Sequence, residues 1–338
     1  MRLGLTIPYT DRIPRAALVA LAQEADRLGY ERLWVPEVYG WDAFTTLAQL
    51  ACATSRIGLC TGIVNVFSRS PALIAQSAAS LDEISGGRVV LGLGTSGPGV
   101  VRGWHGIEFS QGPARLRETV EIVRRVVARE PLVHRGEVFR IEGGLRLITH
   151  PPRAAIPVYL ATLTPAGVRL AGEVADGWIP IFFSSARFRS DTLPLLQEGA
   201  RRSGRELSGL AVCPYQVVVV TDDVRAGREA ARPQIALYVG GMGTSRKNYY
   251  NDLFRAYGYQ EEADRVRELF RAGDREGALR AVTDRMVDEV TVIGPAEECR
   301  ERLAELAEVG VTEVGVSLTV PGEAPADVLA ALRGLAAA

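Results

Sequence analysis

Lysine is nearly absent from this chain: Lys247 stands alone, and arginine supplies the rest of the 39 basic residues. Arginine usage of this kind is what a G+C-rich genome produces. A lyase or isomerase working through a Schiff base would have a single lysine to draw on, which disfavours that chemistry. Histidine is almost as scarce. His105, His134 and His150 are the only three, no two stand at ligand spacing, and no carboxylate motif accompanies them, so no metal site is expected. The four cysteines, Cys52, Cys60, Cys213 and Cys299, are far apart and form no CxxC pair. That pattern suggests neither a disulfide framework nor a zinc knuckle and suits a reducing cytoplasm. No apolar run approaches the roughly 18 residues of a membrane span, and the amino terminus lacks a long apolar signal core, so neither export nor a membrane location is expected. An excess of charge of either sign is also missing, with 39 basic against 40 acidic residues. A nucleic-acid or membrane-surface partner needs clustered positive charge, so a small molecule is the expected partner. Neither a Gly-x-Ser-x-Gly elbow nor a Walker A lysine is present, which lowers the hydrolase and NTPase readings.

What the chain has is core-forming material and glycine. Its 338 residues are 47% hydrophobic and 23% charged, with 35 glycines. Length alone suggests about two domains, although an α/β barrel reaches this size as one. Apolar β-rich runs alternate with helical patterns. Strands are expected at Leu3 to Ile7, Arg32 to Val35, Ile57 to Thr61, Arg88 to Leu93, Val158 to Leu160, Trp178 to Ile181, Ala211 to Val220 and Glu313 to Leu318. Between them, Asp42 is placed to cap a helix running to about Thr54. Pro71 after Ser70 opens another helix that Gly86-Gly87 closes, with proline at the start and glycine at the end. Arg115 to Arg129, a short segment from Thr164-Pro165, and Pro325 to Leu335 complete the helical pattern.

Eight strands too apolar to be wetted on one face, each followed by helix, specify a parallel sheet covered by helices. The expected fold is α/β, a single (β/α)8 TIM barrel spanning residues 1–338 as one domain. Two insertions interrupt it, one after strand 4 at about 130–156 and one after strand 7 at about 240–292. The first has the look of a hairpin, His134 to Phe139 and then Leu145 to Ile148, and places His134 and His150 on the surface. The second is polar and opens on the glycine-rich, basic run Gly240 to Tyr250, which suits a mobile surface excursion or a lid over a site.

In a barrel the site is built at the carboxyl ends of the strands, so residues just after each apolar run are the candidates. Glu37 follows strand 2 beside Tyr39 and Trp41. It could be a general acid or base with a raised pKa, or the partner of an arginine. His105, in a loop with Trp104 between glycines, is the histidine best placed for chemistry. Gly94-Thr95-Ser96-Gly97 has the form of a phosphate cradle and equally of a plain barrel turn. Thr162 and Thr164 precede a helix, where they could cap it and also help its free amides bind phosphate. These segments are small, hydroxylated or aromatic and poor in carboxylates, which suits a flat apolar ligand carrying a phosphate better than a metal.

At these residues the chain resembles the luciferase-like monooxygenase superfamily, in its branch that uses the deazaflavin coenzyme F420, which includes methylenetetrahydromethanopterin reductase. The likeness spans nearly the whole chain. It is carried by Leu33-Trp34-Val35-Pro36-Glu37, Thr61-Gly62-Ile63-Val64-Asn65, the stretch Asp82 to Thr95, Pro157 to Ala161 and Ala171 to Trp178. The resemblance implies a ring laid at the carboxyl ends of the strands, backed by a non-proline cis peptide at Gly62-Ile63. Val64 and Asn65 would edge the ring, with Gly94, Thr95 and Ser96 on its other side. Ala161, Thr162, Thr164 and Gly177 would hold the phosphate, and Arg246 and Lys247 would meet the anionic tail beyond it. It further implies a homodimer. The sequence departs from the pattern after strand 2, where Glu37-Val38 replaces an Asp-His pair, so a proton would have to come from Glu37, Tyr39 or His105. The expected activity is hydride transfer between F420 and a small organic substrate. The alternatives are an FMN-dependent monooxygenase served by a separate reductase and a non-catalytic flavin-binding protein.

Overall fold

The computed structural model describes residues 1–8, 13–244, 247–320 and 325–336. Thirteen strands occur among them. They are β1 (Arg2–Thr6), β2 (Arg32–Val35), β3 (Gly58–Thr61), β4 (Val64–Asn65), β5 (Val89–Gly94), β6 (His134–Arg135), β7 (Arg140–Ile141), β8 (Val158–Ala161), β9 (Gly177–Trp178), β10 (Ala211–Val212), β11 (Tyr215–Val220), β12 (Thr291–Gly294) and β13 (Glu313–Leu318).

The chain is an α/β fold around one curled parallel sheet. Its hydrogen-bonded order is β10-β9-β8-β5-β3-β2-β1-β13-β11-β12, with β4 added beside β5. The curl follows from residues 211–220, which pair with β9 at their start and with β13 further on. The N–H groups of Cys213 and Tyr215 bridge the gap, donating to the carbonyls of Trp178 and Pro180 at 2.9 and 2.7 Å. The seventh run is therefore two strands rather than one: Pro214 has no N–H for the ladder, and the strand breaks there. Parallel strands need helical crossovers, and these cover the outside.

The helices start and stop where local chemistry requires. Asp42 accepts the Thr45 N–H at 2.7 Å to cap Ala43–Ala53, and Ser70 caps Pro71–Ser85. The latter helix ends on Gly86 at φ 67°, a left-handed cap that glycine adopts at least cost. Leu5, Leu33, Leu59, Leu91 and Val316 are fully buried in the main core. At the amino-terminal end of the strands Glu313, 1% exposed, receives Arg32 at 3.2 Å and the Tyr159 hydroxyl at 2.9 Å. This ionic plug closes that end and leaves the other for a site.

Three expectations are corrected. The hairpin of the first excursion pairs His134–Arg135 with Arg140–Ile141, while Leu145 and Ile148 lie outside it and are 79% and 89% exposed. His134 is buried rather than on the surface. Its Nε2 meets Glu118 at 3.1 Å, and the same carboxylate accepts the N–H groups of Glu137, Val138 and Phe139. The second excursion ends in a strand, β12, which pairs with Val217 to Val220 of β11. Helices of this excursion pack Phe254, Val266 and Met286 into a second apolar cluster together with Phe182 and the β11 residues Val217 and Val219.

Candidate functional site

A cavity of about 260 Å³ opens at the carboxyl ends of the strands. Thr6, Glu37, Gly62, Ile63 and Ser317 come from one side of the sheet, and Thr95, Ser96, Thr162 and Thr164 from the other. Tyr238, and Met242, Tyr249 and Tyr250 of the second excursion, complete the lining. Strand ends position these groups because the backbone leaves the sheet there and turns toward the next helix.

The Gly62-Ile63 peptide is cis. Residue 62 must be glycine, since a Cβ there would lie 1.7 Å from the Tyr215 hydroxyl oxygen. Gly94 gives room to Ile63, whose side chain would stand 3.1 Å from a Cβ at that position. Ile63 thus lies between β5 and the cavity as an apolar wall.

At the far end the helix Pro165–Val174 points its amino terminus at the cavity. Thr164 caps it, its Oγ1 accepting the Gly167 N–H at 3.1 Å. The Thr162 hydroxyl is buried and has no hydrogen-bond partner, and Gly167 is packed so closely that a Cβ would lie 2.8 Å from Thr162 Cβ. An unpaired hydroxyl beside free helical N–H groups is the arrangement that takes an anion such as phosphate.

Glu37 is on the wall, and its carboxylate is fully engaged. Arg69 donates to both oxygens at 2.6 and 2.9 Å, and the Ala43 N–H donates at 2.9 Å. Arg69 also pairs with Asp42. Burial alone would raise the Asp42 carboxyl, but the Thr45 N–H and hydroxyl and the Arg69 charge hold it below the ordinary carboxylate range. Of the two readings of Glu37, the arginine partner is the one seen.

The other expected residues divide by place. Tyr39 is 58% exposed and sits against the Trp104 ring at 6.4 Å, with His105 half-buried beside it; this group lies outside the cavity lining. Ala161 lines the cavity, whereas Val64 and Asn65 are buried beneath it and pair with Leu93 and Gly94. Gly177 stands one layer back, where a Cβ would meet the Tyr159 ring at 2.6 Å. Lys247 pairs with Asp252 at 3.0 Å over the Tyr249 ring. Arg246 lies outside the described residues. Sequence reasoning missed Thr6, Tyr215 and Ser317. The available signal was a hydroxyl within a strand otherwise built of apolar residues.

The sequence model of the luciferase-like monooxygenase family matches residues 1–313. This chain belongs to that family. A Mycobacterium tuberculosis protein carrying the name of a coenzyme F420-dependent oxidoreductase is 39% identical over 333 residues, covering 94% of this chain and 95% of its own. The 5,10-methylenetetrahydromethanopterin reductase of Archaeoglobus fulgidus is 31% identical over 307 residues, covering 88% and 86%. Among solved structures, the F420-dependent tetrahydromethanopterin reductase of Methanopyrus kandleri superposes with a TM-score of 0.82 at 22% identity, covering 98% and 97%. That likeness is one of fold, and the fold is TIM-barrel-like. Among the described residues no helix is long and apolar enough to cross a membrane, and no cluster of ligating side chains could hold a metal.

Proposed function

We infer that this family member is an F420-dependent oxidoreductase that transfers a hydride between the coenzyme and a small unsaturated or imine-like organic substrate. The observation that carries it is one cavity offering a flat apolar wall at Gly62-Ile63 and an anion seat at Thr162, Thr164 and the amino terminus of Pro165–Val174. These residues fit a planar ring with a phosphate tail: the glycines leave space for the plane, and the Thr162 hydroxyl needs the partner a phosphate would provide. The names of the M. tuberculosis and A. fulgidus relatives support F420 in particular.

When bound, the coenzyme supplies a two-electron hydride carrier. The chain supplies position. Ile63, Gly94, Thr95 and Ser96 hold the ring plane, Ala161, Thr162 and Thr164 hold the phosphate, and Val64, Asn65 and Gly177 support that frame from beneath. Glu37, clamped by Arg69 and Ala43, fixes the 36–43 loop over the substrate end. Tyr39 and His105 form the rim, and Arg246 and Lys247 are the cations that would meet an anionic tail. Tyr238, Met242 and Tyr250 exclude water from above.

The same reading takes the curled sheet as a complete eight-stranded barrel, one domain over residues 1–338, with insertions at about 130–156 and 240–292. It also carries a cytoplasmic homodimer. Anaerobic titration with F420 and, separately, FMN tests it. Saturable F420 binding with weaker FMN binding is expected; tight FMN binding with none of F420 overturns the reading in favour of a flavin monooxygenase.

A further inference from the structure

The cavity floor at the substrate end contains hydroxyls that the frame described so far does not use. Thr6 is 6% exposed, and its Oγ1 is buried without a hydrogen-bond partner. The Tyr215 hydroxyl is likewise buried and unpartnered. Both residues line the cavity, as does Ser317 on the neighbouring strand. Thr6 and Tyr215 are neighbours at Gly315, where a Cβ would lie 2.7 Å from the Tyr215 ring and 3.4 Å from Thr6 Oγ1. The Tyr215 hydroxyl also abuts Gly62, which puts it directly beneath the wall proposed for the ring.

Buried hydroxyls normally find partners, because an unpaired one forfeits its hydration with nothing in return. Other unpaired side-chain atoms, Trp34 Nε1, Gln216 Oε1 and Asn251 Oδ1 among them, belong to residues that do not line the cavity. Of the unpaired groups that do line it, Thr162 faces the phosphate end, and Thr6 and Tyr215 remain for a second ligand.

We propose that Thr6 and Tyr215 form the subsite for the substrate's hydrogen-bond acceptor, a neutral carbonyl oxygen or imine nitrogen. The proposal rests on the oxidoreductase reading above, and it names the substrate class. Burial pushes the Tyr215 hydroxyl well above its ordinary pKa, so it keeps its proton and donates. The acceptor is neutral because, among the described residues, the cavity wall holds no lysine or arginine, and its one charged group is the Glu37 carboxylate. A hydrogen bond to the acceptor atom polarises the double bond that receives the hydride.

The test uses 2-cyclohexen-1-one as the probe and cyclohexene as its acceptor-free counterpart, followed by calorimetry on the full chain with and without F420. The wild type is expected to bind the enone more tightly than the alkene. Thr6→Val and Tyr215→Phe should each weaken enone binding about fivefold, the worth of one net hydrogen bond, with F420 affinity held within about twofold. Thr6→Ser, which keeps a hydroxyl, should restore enone binding. Three results overturn the proposal: no preference for the enone, variants that bind it as the wild type does, or variants that lose F420 affinity instead, which would give the hydroxyls to the coenzyme. The two readings fail separately. Enone preference without F420 binding in the wild type sinks the coenzyme assignment and leaves the subsite standing, while F420 binding without enone preference does the reverse.

Discussion

Replacing Glu37 by glutamine separates a structural carboxylate from a proton donor. The side chain is 11% exposed and Arg69 16%, so water screens their contact weakly. An amide at this position can still accept one of the two Arg69 bonds but loses the charge and the bidentate fork. Charge-assisted hydrogen bonds of this sort contribute about 1.5–3 kcal/mol, and with Asp42 still pairing Arg69, the expected loss is about 2 kcal/mol. In a chain of this size that lowers Tm by roughly 3 °C. Thermal unfolding followed by circular dichroism, in a double-mutant cycle with Arg69→Met, should give a coupling of about 1–2 kcal/mol. Turnover should fall through misplacement of the 36–43 loop, and the shape of the pH–rate profile should not change. Additive single-mutant effects would refute the clamp. So would a Glu37→Gln protein of unchanged Tm whose pH–rate profile has lost a limb, because that is the signature of a proton donor.

Three further outcomes follow from the same geometry. Thr162→Val should weaken F420 binding about tenfold, as expected for a charge-assisted bond to phosphate, while thermal stability stays near that of the wild type; equal affinity in fluorescence titration would remove Thr162 from the anion seat. Burial alone would raise the Glu118 carboxyl, but the Phe139 and Val138 N–H groups and His134 hold it below its ordinary value. A depressed pKa contributes stability above the unfolded value and loses it as pH falls through the folded one. Glu118→Gln should therefore cost most at neutral pH and progressively less in acid, measured by urea unfolding across pH 3–7. Burial pushes the Cys60 thiol up to about 12, so in the native protein iodoacetamide should label the exposed Cys52 and spare Cys60, with mass spectrometry as the readout.

Strand and helix positions were legible where local chemistry is one-sided. Arg32–Val35 and Glu313–Leu318 were found at their observed bounds, and Asp42, Ser70 and Thr164 announced the helices they cap. Short elements in polar company were not legible. Thr291–Gly294 is four residues long, directly follows a helix, and is a strand only because β11 offers it a partner. His134 shows the same limit: its burial depends on Glu118, sixteen residues away on a helix, and no periodicity encodes that contact. The glycine-rich turns correctly marked the cavity rim, yet Gly177 serves a tyrosine ring behind it. Thr6, Tyr215 and Ser317 escaped notice because they sit inside strands, where side-chain direction, and so access to the cavity, is set by the curl of the sheet.

A crystal structure with F420 bound would show directly whether this cavity is the coenzyme site. The ring is expected against Gly62-Ile63, with the phosphate on Thr162 and the amino terminus of Pro165–Val174. A ring bound elsewhere, or a phosphate seated away from Thr162 and Thr164, would contradict it.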